Sequence, residues 1–235
     1  MPVVTIEGYL GSGYQTIGRS VAEKLGIDFV DRVILSKIAK EMDKHLAEIV
    51  DLQKKPEEKS FTERITDNLL KALEKSALSG GGADPFFGHG IENLLSSPYK
   101  DFPHKQDLEE NLDFSKAIKK VINEIAKQGS VLILGRGASG VLRNDESALK
   151  VGIYCDFDVR IKKYAKREGI SNDEARNKIL EYDEGKKNYY LNIFQKQPLD
   201  PFIFNIIFNS ELLPEDEIID DICENAKKYL SKRNK

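Results

Sequence analysis

Apolar residues along this chain fall into short unbroken runs and helical stripes, and the two kinds of pattern alternate. Val3-Val4-Thr5-Ile6 is a β-branched run ended by Gly8, and Ile17, Val21 and Leu25 then recur four residues apart until Gly26. A strand, a glycine turn and an amphipathic helix follow, because a period near 3.6 lines one helix face and an unbroken run suits a buried strand. A shorter run from Ile27 ends at Asp31, and Ile34, Ile38 and Met42 mark a second helix face. From Lys54 to Lys59 the chain reads as a charged linker, and Ser60-x-x-Glu63 predicts a capping box before a helix with Ile65, Leu69 and Leu73. The glycine cluster at 80–90 predicts a loop reaching about Pro103, read first as an exposed connector and second as a lid over a substrate.

The apolar pattern resumes with Ile118, Val121, Ile122 and Ile125 on one helix face and Val131-Leu132-Ile133-Leu134 as a strand buried on both sides. Further strands are predicted at Val151 to Cys155 and Ile203 to Phe208. Ser171-x-x-Glu174 predicts another capped helix, and Pro214 opens a last one carrying Ile218, Ile219 and Ile222. Strands separated by helices predict an α/β fold built on a parallel sheet. At 235 residues the expectation is a single domain over 1–235, with an inserted helical region at about 54–113.

Composition narrows the function classes. The net charge of −3 leaves no basic excess for nucleic acid or an anionic membrane, so any anion site must be local. Cys155 and Cys223 share no ligand spacing and read as reduced thiols, and no leader or membrane-length apolar run is visible. The expected location is the cytoplasm. His45, His89 and His104 are scattered and support neither a hydrolase triad nor a zinc centre, so no protein-built metal site is expected.

Gly8-Tyr9-Leu10-Gly11-Ser12-Gly13-Tyr14-Gln15-Thr16 has the position and glycine spacing of a phosphate-binding loop. In the G-x-x-x-x-G-K-[ST] pattern, backbone N–H groups surround phosphate oxygens, the lysine reaches the terminal phosphates and the hydroxyl meets Mg²⁺. Gly8 and Gly13 keep that frame, with Gly11 and Ser12 as further loop candidates between them, whereas Tyr14 replaces the lysine, Gln15 replaces the hydroxyl and Thr16 is the nearest hydroxyl. The alternative is a turn that only lets strand and helix pack. If phosphate binds, Tyr14→Lys is expected to restore the missing cation. Arg136, between Gly135 and Gly137 at the end of a central strand, suits a phosphate or carboxylate, with a structural salt bridge as its alternative. Asp31 ends the second strand, where it could hold a substrate group or cap the next helix. Arg160, Lys163 and Arg167 fall on one face of a helix that also carries Lys162 and Lys166, and Lys186 and Lys187 follow Asp183 beyond the next helix. Arg160, Lys163 and Lys186 are the candidates to clamp transferring phosphates, and the remaining cations read as solvated surface.

Taken together, these residues resemble the cytidylate-kinase-like branch of the nucleoside monophosphate kinases. The likeness covers Val4 to Ile38, through Gly11-Ser12-Gly13, Ile17-Gly18-Arg19, Ala22 to Gly26 and Phe29-Val30-Asp31. It resumes from Ile122 to Asp221, through Gly135-Arg136-Gly137-Ala138, Arg160 and Asp183. It implies a P-loop NTPase-type doubly wound sheet with an acceptor-side insertion and a helical lid at about 160–200. It further implies ATP as donor, Mg²⁺ carried with the nucleotide, and a pyrimidine monophosphate, CMP first, as acceptor. Members of this branch often lack the loop lysine, and Lys186 stands near the position of a lid arginine. Nucleotide substrates are the expected partners, with no indication of a homo-oligomer. The competing reading is a nucleotide sensor that keeps the fold without efficient transfer, and a ligand-free scaffold comes third.

Overall fold

The computed structural model describes residues 2–38, 60–78, 99 and 108–233. Its first half begins with β1 (Val3–Gly8), α1 (Tyr14–Leu25), β2 (Asp28–Val30) and a helical segment α2 at 32–38. Next come α3 (Phe61–Leu78), α4 (Leu108–Gln128), β3 (Val131–Leu134) and the short α5 (Ala138–Val141). Then follow β4 (Ala148–Tyr154), α6 (Phe157–Glu168), α7 (Asn172–Phe194), β5 (Ile206–Asn209) and α8 (Glu215–Arg233). Most of the predicted insertion at 54–113, including the glycine cluster at 80–90, lies outside the described residues.

All five strands run parallel in the order β2-β3-β1-β4-β5, with Val3 opposite Val131 and Ala148. The unbroken apolar runs have a direct cause, since alternate side chains enter separate cores on the two faces. Val3, Val131 and Ile133 pack with Leu35, Ile65, Val121, Ile125 and Tyr190 from α2, α3, α4 and α7. Val4, Ile6, Leu132 and Leu134 pack on the other face with Ile17 and Val21 of α1 and Ile218 and Ile222 of α8. The fold is therefore a doubly wound α/β sheet. Among the described residues no helix is long and apolar enough to cross a membrane.

Local signals act as their chemistry requires. Ser60 and Glu63 form a reciprocal capping box, with Glu63 N–H donating to Ser60 Oγ and Ser60 N–H to Glu63 Oε2. Gly26 closes α1 at φ 62°, a conformation that favours glycine. Three boundaries differ from the sequence reading. β4 starts at Ala148 rather than Val151, running through a buried Lys150 whose ammonium donates to the Asp145 carbonyl at 2.7 Å. β5 starts at Ile206 rather than Ile203, because Asp200 gathers the N–H groups of Phe202 and Ile203 into a turn. α7 continues past Asp183 to Phe194, so Lys186 and Lys187 lie within it.

Candidate active site

The loop from Gly8 to Gly13 joins the carboxyl end of central β1 to the N-terminus of α1. Gly11 and Gly13 have φ of 85° and 83°, where glycine is favoured. Packing adds a second requirement. A Cβ on Gly11 would meet the Arg160 carbonyl oxygen at 2.6 Å, and one on Gly13 would meet a Glu215 carboxylate oxygen at 2.7 Å. Ser210 Oγ donates to the Ser12 carbonyl at 2.7 Å, while Ser12 Oγ is buried without a hydrogen-bond partner. The loop is thus drawn tightly against its neighbours, and the α1 N-terminus behind it offers favourable potential to an anion.

Two of the predicted clamp residues lie beneath or beside this loop rather than on its open side. Lys186 is fully buried, and its ammonium donates to Glu7 Oε2 at 3.0 Å and to the Gly8 carbonyl at 2.7 Å. The rings of Tyr9, Tyr14, Tyr99 and Tyr190 surround it at 5.4 to 5.9 Å. Arg160 is also buried, giving Nη1 and Nη2 to the two carboxylate oxygens of Asp183 and Nη1 to the Leu10 carbonyl. Burial raises the Asp183 carboxyl above its ordinary value, against the downward pull of the Arg160 guanidinium. Both cations therefore brace the loop, and neither lines a cavity described below. The sequence reading placed them on an open lid because it ended α7 too early and could not resolve depth along α6.

Tyr14 is likewise turned inward. It is 5% exposed, packs in the core beside Ile17, and its hydroxyl lies 3.0 Å from that of Tyr182 on α7. A lysine there would bring a second ammonium close to that of Lys186, which lies 5.6 Å from the Tyr14 ring. The expectation that Tyr14→Lys restores a phosphate-binding cation is therefore set against repulsion from a buried ammonium already close by.

Above the loop two cavities share a wall. The smaller, about 410 Å³, is lined by Gly11, Gly13, Thr16, Lys163, Lys166 and Glu215, together with Tyr164 and Arg167. The larger, about 450 Å³, includes Gln15, Asp31, Tyr99 and Arg136 in its lining and also meets Tyr164 and Arg167. Lys163 donates to the Ser210 carbonyl at 2.8 Å, and Arg167 Nη1 donates to Gln15 Oε1 at 3.1 Å. Gln15 thus engages a guanidinium at the position where the loop pattern puts a metal-binding hydroxyl. Asp31 uses Oδ1 to accept the N–H groups of Val33 and Ile34, the capping role, while Oδ2 lies 4.0 Å from Arg19. The Arg136 guanidinium carbon sits 5.5 Å from the Tyr99 ring centroid.

The structure therefore brings Gly11, Gly13, Thr16 and Lys163 to one cavity and Tyr14, Gln15, Asp31 and Arg136 to the other. Sequence reasoning set aside Lys166 and Arg167 as surface and did not single out Tyr99, Tyr164 or Glu215. For Tyr164 and Arg167 the signal was the helical spacing of 160, 163, 164 and 167, which was visible but did not distinguish a cavity wall from solvent. Among the described residues no three His, Cys, Asp or Glu gather to hold a metal. Thr16 and Glu215 do bring a hydroxyl and a carboxylate to the smaller cavity, the oxygen donors that suit a nucleotide-borne Mg²⁺.

Comparison with known proteins agrees with the architecture. A cytidylate kinase from Methanopyrus kandleri is 30% identical over 117 residues, covering 46% of this chain and 61% of that enzyme. One from Pyrococcus horikoshii is 38% identical over 87 residues, covering 37% of this chain and 44% of its own. The chain thus aligns with about half to three fifths of the length of these relatives. An uncharacterised protein of known structure from Eubacterium ventriosum shares the fold at TM-score 0.59 and 19% identity, covering 97% of this chain and 98% of that one. The family model spans both the glycine loop and the basic helices, matching residues 3–212, and on that match the chain belongs to the cytidylate kinase-like family.

Proposed function

We propose that this protein transfers the terminal phosphoryl group of ATP to a nucleoside monophosphate, with CMP as the first acceptor to test. The observation that carries this reading is the pair of cavities flanking the glycine loop and sharing Tyr164 and Arg167. The smaller one, at the start of α1, suits the donor's phosphates, and the larger one, with Arg136 and several aromatic walls, suits the acceptor. An acceptor phosphate oxygen attacks the terminal phosphorus, the bond to the bridging oxygen breaks, and ADP leaves. Such transfer depends on positioning and charge stabilisation rather than covalent catalysis. Lys163 and Lys166 meet donor phosphates, and Arg167, on the shared wall, meets the group in flight. Mg²⁺ carried by the nucleotide would neutralise phosphate charge, and Thr16 and Glu215 would be the residues to hold it.

The test is acceptor-dependent ADP release, measured across nucleoside monophosphates with ATP and Mg²⁺. Nucleotide-induced thermal shifts serve as the binding control. The expected result is release with CMP or a close analogue, abolished by Gly13→Val, whose β-branched side chain is strained at a φ of 83°. Thermal shifts with ATP but no release with any monophosphate would favour a nucleotide sensor instead.

A further inference from the structure

Gly135, Arg136 and Gly137 have φ of 77°, 58° and 69°, three successive residues in the left-handed region. Glycine enters that region freely, but an arginine does so only against its own steric preference, so the surroundings must hold it there. Two buried tyrosines do so. Tyr99 Oη accepts the Arg136 N–H at 2.7 Å, and Tyr189 Oη donates to the Arg136 carbonyl at 2.7 Å. Their rings meet edge-on at 5.1 Å, and the guanidinium stands over Tyr99. Gly137 is closed in as well, since a Cβ there would lie 2.5 Å from the Phe194 ring and 3.1 Å from that of Tyr189. Burial raises both phenols far above their ordinary value, so each keeps its proton over the working pH range.

A glycine at 136 would follow the same path without strain. An arginine held there against its preference implies that the side chain is needed where this turn puts it, on the wall of the larger cavity. We propose that Tyr99 and Tyr189 are positioning residues that clamp the Arg136 peptide from both sides and thereby aim its guanidinium as the anion-binding group of the acceptor cavity. The inference rests on the acceptor reading above, and it extends specificity control to the buried aromatic face of α7.

The experiment is a double-mutant cycle on the full chain, with parent, Tyr189→Phe, Arg136→Ala and the double variant titrated calorimetrically with CMP and separately with inorganic phosphate. Tyr189→Phe should weaken both probes about five- to tenfold, the effect of one hydrogen bond, and should raise the acceptor KM with little change in the ATP KM. In the Arg136→Ala background it should cost no further affinity. Arg136→Gly should melt above Arg136→Ala, because glycine relieves the backbone strain. Equal losses from Tyr189→Phe with and without Arg136, parental affinity in Tyr189→Phe, or Arg136→Gly melting no higher than Arg136→Ala would each overturn the proposal. Tyr99→Phe reads the same cycle if Tyr189→Phe does not fold. A parent that binds neither probe also overturns it. Arg136-dependent phosphate coupling without ADP release would leave the positioning role standing and remove only the transfer reading.

Discussion

Helix α6 carries two arginines seven residues apart, on the same helical face. The Arg160 side chain is 6% exposed and gives both terminal guanidinium nitrogens to Asp183, whereas that of Arg167 is 41% exposed and lines both cavities. The difference is one of depth along the helix axis. Two turns correspond to roughly 10 Å, enough to carry a side chain from beneath the glycine loop to the space above it. α7 shows a second contrast, by rotation about the axis rather than depth, with Lys186 fully buried against Glu7 and Lys187 exposed about 100° round the helix. A cation's chemistry here is decided by what lies across from it, and the inner set braces the loop while the outer set lines the cavities.

The comparison is broken most severely by removing an inner cation. Lys186→Met leaves the Glu7 carboxylate buried without its ion pair and is expected to cost about 3–5 kcal/mol of stability, read by urea unfolding. Adding Glu7→Gln should recover most of that loss, because the uncompensated charge is the main source of the penalty. An unfolding midpoint unchanged by Lys186→Met alone would show that the pair braces nothing.

Tyr14→Lys sharpens the same distinction with a smaller effect. A second ammonium beside Lys186 is expected to destabilise the fold by about 1–3 kcal/mol, the range for burying an unmatched polar or charged group. Thermal melting should show partial rescue when Lys186→Met is added. Tyr14→Lys melting with the parent and binding ATP more tightly would restore the simpler view of a missing phosphate cation.

These residues also mark how far the sequence could be read. Val131 to Leu134 announced a strand covered on both faces, and the glycines at 8, 11 and 13 announced a tight turn at its neighbour's end, because both signals are local. Lys186 was legible in principle. Ile179, Tyr190 and Ile193 are buried at a helical period that runs through 186, but treating the basic residues as a helix boundary hid it. Tyr99 carried no such signal, since it lies in a stretch predicted as a loop and owes its burial to contacts with Arg136 and α7, distant in sequence. The depth difference between Arg160 and Arg167 depends on where α6 crosses the loop, which periodicity does not encode.

The central claim is that the outer cations act on the transferring group and the inner ones on the fold. It is tested most directly by comparing Arg167→Ala with Arg160→Ala for kcat in acceptor-dependent ADP release and for the urea midpoint. Arg167→Ala should lower kcat on the order of a hundredfold, as loss of a transition-state charge donor does, while leaving the midpoint at the parental value. Arg160→Ala should lower the midpoint, corresponding to a stability loss of about 3 kcal/mol, as Asp183 loses its partner. Parental turnover in Arg167→Ala, or parental stability in Arg160→Ala, would contradict the account.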